Sequence, residues 1–232
     1  MKLSTKVWLA GAAALVALPS IASAAIVIVR SAGAAAKAYP PGKAIPDGSS
    51  IRLGDGDMVT VLTPNSAKVL RGPGVFAVDA ADRQSLAMAA GRRARFSALR
   101  TGDVARNPSL WDVDVGQSGK MCVSDPAKLN LWRPSKEEAA KVSIRSADGQ
   151  VQTVNWAVGK DTVAWPKALA VKSGAQYTIE WPGSAEKGSV EFVTLSPRPP
   201  TDLVGAAKVL IANGCQNQLD LLVENASKPK TN

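Results

Sequence analysis

Histidine is absent from all 232 residues of this chain. That excludes the Ser-His-Asp and Cys-His arrangements of nucleophilic catalysis, and it removes the commonest zinc ligand. Cysteine is almost absent: Cys122 and Cys215 are the only two, short of the four ligands of a structural zinc site. Acidic residues are in deficit, 19 against 28 lysines and arginines, for a net charge of +9. Aromatic residues make up only 5% of the chain. Phosphate-binding fingerprints are missing too; Gly116-Gln117-Ser118-Gly119-Lys120 has glycines and a lysine at the wrong spacing. No metal and no cofactor is expected.

The N-terminus carries a clear pattern. Lys2 and Lys6 precede an uncharged, largely apolar run, Val7 to Leu18, which Pro19 and Ser20 break. Ala22-Ser23-Ala24 then places small residues at −3 and −1 of a cut before Ala25. This is the layout of a secretory signal peptide over 1–24, and the apolar run is shorter than the roughly 20 residues that span a bilayer. An exported, periplasmic protein is expected. In an oxidising compartment an even cysteine count favours one disulfide, Cys122–Cys215, over two free thiols.

Short strands follow in quick succession. Ala25–Arg30, Ser50–Leu53, Asp57–Leu62, Ala67–Arg71 and Val75–Val78 are separated by Gly, Pro, Asn and Asp turns, which reads as a small antiparallel β-unit. Residues 80–100 lose β-branched character and recur at helical spacing, predicting a helix with a basic outer face. Arg92, Arg93, Arg95 and Arg100 lie on it. They read either as a solvated face, the preferred view, or as an anion-binding surface for acidic membranes or cell-wall polymers. Nucleic acid is not expected, since Phe96 is the only stacking aromatic beside the run.

A second series of strands occupies 111–115, 120–123, 129–132, 141–145, 151–156, 162–165, 176–181 and 189–195, with Asp148-Gly149 as a hairpin turn. Their number and spacing suit an immunoglobulin-like β-sandwich. Trp111, Trp132, Trp156, Trp165 and Trp181 all fall in this half. They are candidate partner- or glycan-binding residues, although filling the core is the commoner role. Thr201 or Asp202 then caps a helix to Asn213 with Gly214 as C-cap, its buried stripe expected at Leu203, Ala207, Leu210 and Ile211. A second helix over 215–226 turns Leu219, Leu222 and Val223 inward. The expected fold is therefore mainly β: a small antiparallel β-domain with a basic helix (25–105), an Ig-like sandwich (106–196) and a C-terminal helical pair on the sandwich (197–232).

VIVR at 27–30, Pro46-Asp47-Gly48, Leu53-Gly54-Asp55-Gly56-Asp57 and Pro64-Asn65-Ser66 before AKVLRG carry a likeness. Through them Val27–Val78 resembles the FecR-type domain of periplasmic proteins. The Gly-Ala-Gln-Tyr to Glu-Trp stretch at 174–181 is similar to closing strands of fibronectin- or Ig-like modules of bacterial envelope proteins. The second similarity implies a β-sandwich and interaction roles, and no chemistry.

Three weaker chemical patterns read as structural. Ser184 to Lys187 matches S-x-x-K but falls in a hydrophilic turn. Asp55 and Asp57 fail the EF-hand pattern at Val59 and read as a turn with two solvated aspartates. Asp112 and Asp114 share a strand face, close to the separation of a glycosidase pair, and read as a solvated outer face. The leading expectation is a non-catalytic interaction or scaffold protein of the envelope. The alternatives are a glycan- or peptidoglycan-binding module and, last, a hydrolase built on Asp112 and Asp114.

Overall fold

The computed structural model describes residues 26–80, 107–182, 187–196 and 199–227. The expected signal segment, the expected basic helix with Arg92, Arg93, Arg95 and Arg100, and most of the Ser184–Lys187 stretch lie outside the described residues.

Six strands form the first unit: β1 (Ile26–Ala32), β2 (Ala44–Ile45), β3 (Ser49–Leu53), β4 (Met58–Leu62), β5 (Ala67–Arg71) and β6 (Gly74–Val78). An antiparallel sheet of order β2-β1-β4-β5 packs against the pair β3-β6. Ile26, Ile28, Val59 and Val61 from the first sheet meet Ile51, Leu53 and Val78 from the second. Between the first two strands expected from the sequence, the chain forms a 3-10 turn at Ala34–Lys37 and the short β2.

The second unit is a β-sandwich. One sheet has the order β11-β10-β13-β14-β8, from β8 (Gly119–Val123), β10 (Ala140–Ser146), β11 (Val151–Trp156), β13 (Gln176–Glu180) and β14 (Gly188–Thr194). The other has the order β12-β9-β7, from β7 (Val113–Asp114), β9 (Asn130–Trp132) and β12 (Thr162–Ala164). Between them lie Val142, Ile144, Ile179, Phe192, Leu131 and Trp156. Trp165, Tyr177 and Phe192 interlock with centroids 4.9–5.4 Å apart, mainly edge-on as the ring quadrupole favours. The expected strand at 111–115 shrinks to Val113–Asp114, because the Asn107 side chain, not a neighbouring strand, takes the Asp112 carbonyl at 3.0 Å.

Two helices close the chain, α1 (Leu203–Asn213) and α2 (Gln216–Ala226). Asp202 caps α1 by accepting the Gly205 N–H at 2.7 Å, and Gly214 ends it in the left-handed conformation. The pair lies between the two β-units and packs on both. Val27, Val29 and Leu62 from the first unit and Cys122 from the sandwich share one cluster with Val204, Ala207, Leu210, Leu219 and Val223. This double contact turns the α1 stripe from its expected position: Val204 and Ala206 join Ala207 and Leu210 in the core, while Leu203 and Ile211 are half-buried.

It also accounts for the IVIV run at the start of β1. A strand covered on one face alternates polar and apolar, whereas one covered on both reads as a continuous apolar run. Ile26 and Ile28 face the first core, Val27 and Val29 the helices.

Candidate functional site: two unequal sheet edges and a polar hollow

β8 and β11 are the edges of the five-stranded sheet. An edge strand leaves every second residue with its N–H and C=O unpaired. At β8 that need is met from inside the molecule. Cys122 is joined to Cys215, just ahead of α2, with Cα atoms 5.9 Å apart. Gln218, one turn further on and only 4% exposed, pairs with the same strand. Its Oε1 accepts the Cys122 N–H at 2.7 Å, and its Nε2 donates to the Cys122 C=O at 2.9 Å and the Leu110 C=O at 2.8 Å. Asn217 Nδ2 donates to the Ser118 C=O at 2.8 Å. One amide side chain thus occupies the place of a neighbouring strand. Sequence reasoning missed Gln218; the available signal was a lone amide at i−1 of Leu219 on an otherwise apolar face.

β11 is left open. The turn before it has the Gly149 N–H donating to the Ser146 C=O at 3.0 Å and the Ser146 N–H donating to the Gln150 C=O at 2.9 Å. Ser146 and Gln150 are therefore a hydrogen-bonded pair, and antiparallel pairs alternate from there. With Arg145 opposite Val151 and Ile144 opposite Gln152, the residues of β11 bonded to β10 are Gln152, Val154 and Trp156. Val151, Thr153 and Asn155 direct their N–H and C=O groups outward. All three are exposed, Val151 at 40%. Among the described residues no other backbone group bonds them.

The five tryptophans do not form one surface. Trp132, Trp156 and Trp165 are buried, Trp156 at 2%, and are unavailable to a ligand. Trp181 is half-buried and packs against the sandwich core. Trp156 instead carries a buried arginine: the Arg133 guanidinium lies 5.3 Å from its ring centroid, with Nε donating to the Lys160 C=O at 3.0 Å and Nη2 to the Ala157 C=O at 3.1 Å. A buried charge needs such partners, and here they pin the loop after β11. Arg133 is a second residue that sequence reasoning passed over.

Trp111, half-buried against the helix cluster, lines a hollow of about 350 Å³ with Asp112, Ser124, Asp125, Lys128 and Asn130 around it. Asp112 accepts Asn130 Nδ2 at 3.2 Å, whereas Asp114 accepts the Gly116 N–H at 2.9 Å. Asp114 is not among the residues lining this hollow.

In the first unit the structure corrects the reading of Asp57 as solvated. It is buried, because its carboxylate joins two turns: Oδ1 accepts the Ala35 N–H at 3.0 Å and Oδ2 the Gly54 N–H at 2.8 Å. These amides, Ala35 foremost, hold its carboxyl below the usual carboxylate range despite desolvation. The approach is close enough that a Cβ on Gly33, where φ is +83°, would stand 2.3 Å from Oδ1.

Comparison of the chain with family models, with curated proteins and with solved structures finds no match.

Proposed function

We propose that this is a non-catalytic interaction or scaffold protein of the bacterial envelope, exported by its N-terminal signal segment and working in the periplasm. The observation that carries the reading is the asymmetry of the five-stranded sheet. One edge is closed by a disulfide, a buried glutamine and a helix, while the other presents three outward N–H and C=O pairs on uncharged residues. Proteins blunt unused edges with charge, proline, a bulge or a cover; β11 carries no charge, proline or bulge along its length, and among the described residues no backbone group covers its edge. Strand addition to an exposed edge is a recurrent way of capturing a partner. The FecR-type resemblance of Val27–Val78 and the disulfide agree with an envelope setting. Crosslinking in intact cells, followed by identification of the attached protein, tests the proposal. A reproducible envelope partner is expected, and its repeated absence overturns the reading.

A second reading, a glycan- or peptidoglycan-binding module, is favoured by the Trp111 hollow, where an aromatic face meets carboxylate, amide and hydroxyl groups. Soluble cell-wall polymers should then quench tryptophan fluorescence in the native protein and not in Trp111→Ala. No quenching at millimolar polymer removes it.

A further inference from the structure

We infer that β11 is a docking strand for an extended peptide bearing acidic side chains, one that adds antiparallel to the sheet; this rests on the interaction reading above and names its partner class.

Three observations determine the chemistry. The first is the backbone parity: Val151, Thr153 and Asn155 each offer one donor and one acceptor at the edge, so an incoming strand of five residues gains three hydrogen-bonded pairs. The second is the apolar side of the edge. Val154 is half-buried against the sandwich core, so residues of the incoming strand beside Gln152 and Val154 extend that core and suit β-branched side chains. The third is charge. Lys141 and Arg145 stand exposed on β10, opposite Asn155 and Val151 respectively. Neither has an ion-pair partner among the described residues. By contrast, the carboxylates further across the sheet are engaged: Glu180 with Lys187 at 2.7 Å and Glu191 with Lys120 at 4.0 Å.

Strands lie about 4.8 Å apart, so the residue facing Asn155 is two strands from Lys141, within reach of two long side chains leaning toward each other. The same holds for the residue facing Val151 and Arg145. Acidic side chains at these two positions complete a cross-strand pattern that the sheet leaves open. A second copy of this chain brings no opposite charge to either position. Antiparallel pairing of β11 with itself about Thr153 puts Lys141 of one copy and Arg145 of the other on one row, so the dimer carries two like-charge rows.

The matching sequence is Glu-Val-Thr-Val-Glu, with Thr facing Thr153 and the glutamates facing Asn155 and Val151. The test measures fluorescence anisotropy of a labelled, end-blocked peptide with this core, and of its Lys-Val-Thr-Val-Lys counterpart, against the full exported protein. The acidic peptide should bind at least tenfold more tightly than the basic one, and more weakly as salt rises. Thr153→Pro removes an outward donor and no ladder bond; it should weaken binding tenfold or more with an unchanged circular dichroism spectrum. Lys141→Glu with Arg145→Glu, two exposed substitutions, should reverse the peptide preference, and this keeps the test decisive if the proline variant does not fold.

Equal binding of both peptides, unchanged binding by folded Thr153→Pro, or no binding at millimolar peptide overturns the assignment. So does a protein that sediments as a dimer through β11, with Thr153→Pro monomeric, since the occupant is then a second copy. A protein that ignores the peptides yet crosslinks to an envelope partner loses this inference and keeps the broader function; one that does neither loses both.

Discussion

Gln218 and Asp57 show how single polar side chains organise this molecule. Each is buried, and each satisfies backbone groups that have no strand or helix partner. Gln218→Ala leaves the Cys122 N–H and C=O buried and unpaired. An unsatisfied buried group costs about 1–3 kcal/mol, so the variant should lose about 2–4 kcal/mol in urea unfolding with an unchanged m-value; a loss below about 0.5 kcal/mol shows that water enters and replaces the amide. Asp57 makes a pH prediction. Its carboxyl titrates lower in the folded protein than in the unfolded chain, so the unfolded state binds more protons as the pH falls. The stabilisation is complete above the unfolded value of about 4. It disappears as the pH drops through the lower folded value. Asp57→Asn should therefore be less stable near neutrality and show a flatter acid limb below about pH 4. An unchanged acid limb assigns that dependence to other carboxylates.

At the scale of elements, the α1–α2 hairpin is an interior wall more than an appendage. Its inner surfaces build one cluster shared with both β-units, and the Cys122–Cys215 bond joins it to β8 across 93 residues of chain. Closing a loop of that length stabilises by about 4.7 kcal/mol in the chain-entropy model. Reduction, or Cys122→Ser with Cys215→Ser, should lower stability by a few kcal/mol and loosen α2 first, because Gln218 is then the main tie between helix and strand. Hydrogen exchange reads this directly: the amides of 216–226 should lose protection before those of β10 and β13. Uniform loss across all elements refutes the order. The Arg30–Asp220 ion pair adds little to the docking, since both side chains are nearly half exposed and such pairs are worth at most about 1 kcal/mol.

For the whole molecule, three layers follow from one strand. β1 is buried on both faces, so the first unit is incomplete without the helices. A chain ending at residue 196 exposes Val27, Val29 and Leu62 as a contiguous apolar patch. It should aggregate or bind a hydrophobic dye, whereas the intact protein remains monomeric and dye-free. A soluble, dye-negative truncation shows that the first unit repacks without its cover. The same architecture leaves the far edge of the sandwich, β11, as the surface furthest from these internal contacts along the sheet.

Much of this was legible along the chain. Local signals are written in neighbouring residues: β5 and β11 fall where alternation and β-branching put them, the Asp148-Gly149 turn closes its hairpin, and Asp202 and Gly214 bound α1 because capping depends only on adjacent atoms. The even cysteine count pointed to the disulfide. What tertiary structure decided is which faces meet. Whether a tryptophan is core or surface depends on the opposing sheet, so Trp132, Trp156 and Trp165 went inside while Trp111 stayed at a hollow. Asp57 looked like a solvated turn residue because its partner, the Ala35 amide, is 22 positions away. Gln218 showed only as an amide on an apolar helix face and Arg133 not at all, since their partners are backbone groups, which every residue has and no sequence distinguishes. For the same reason an open edge cannot be read from a strand's own residues: β8 and β11 both spell strands, and only the position of α2 makes one closed and the other free.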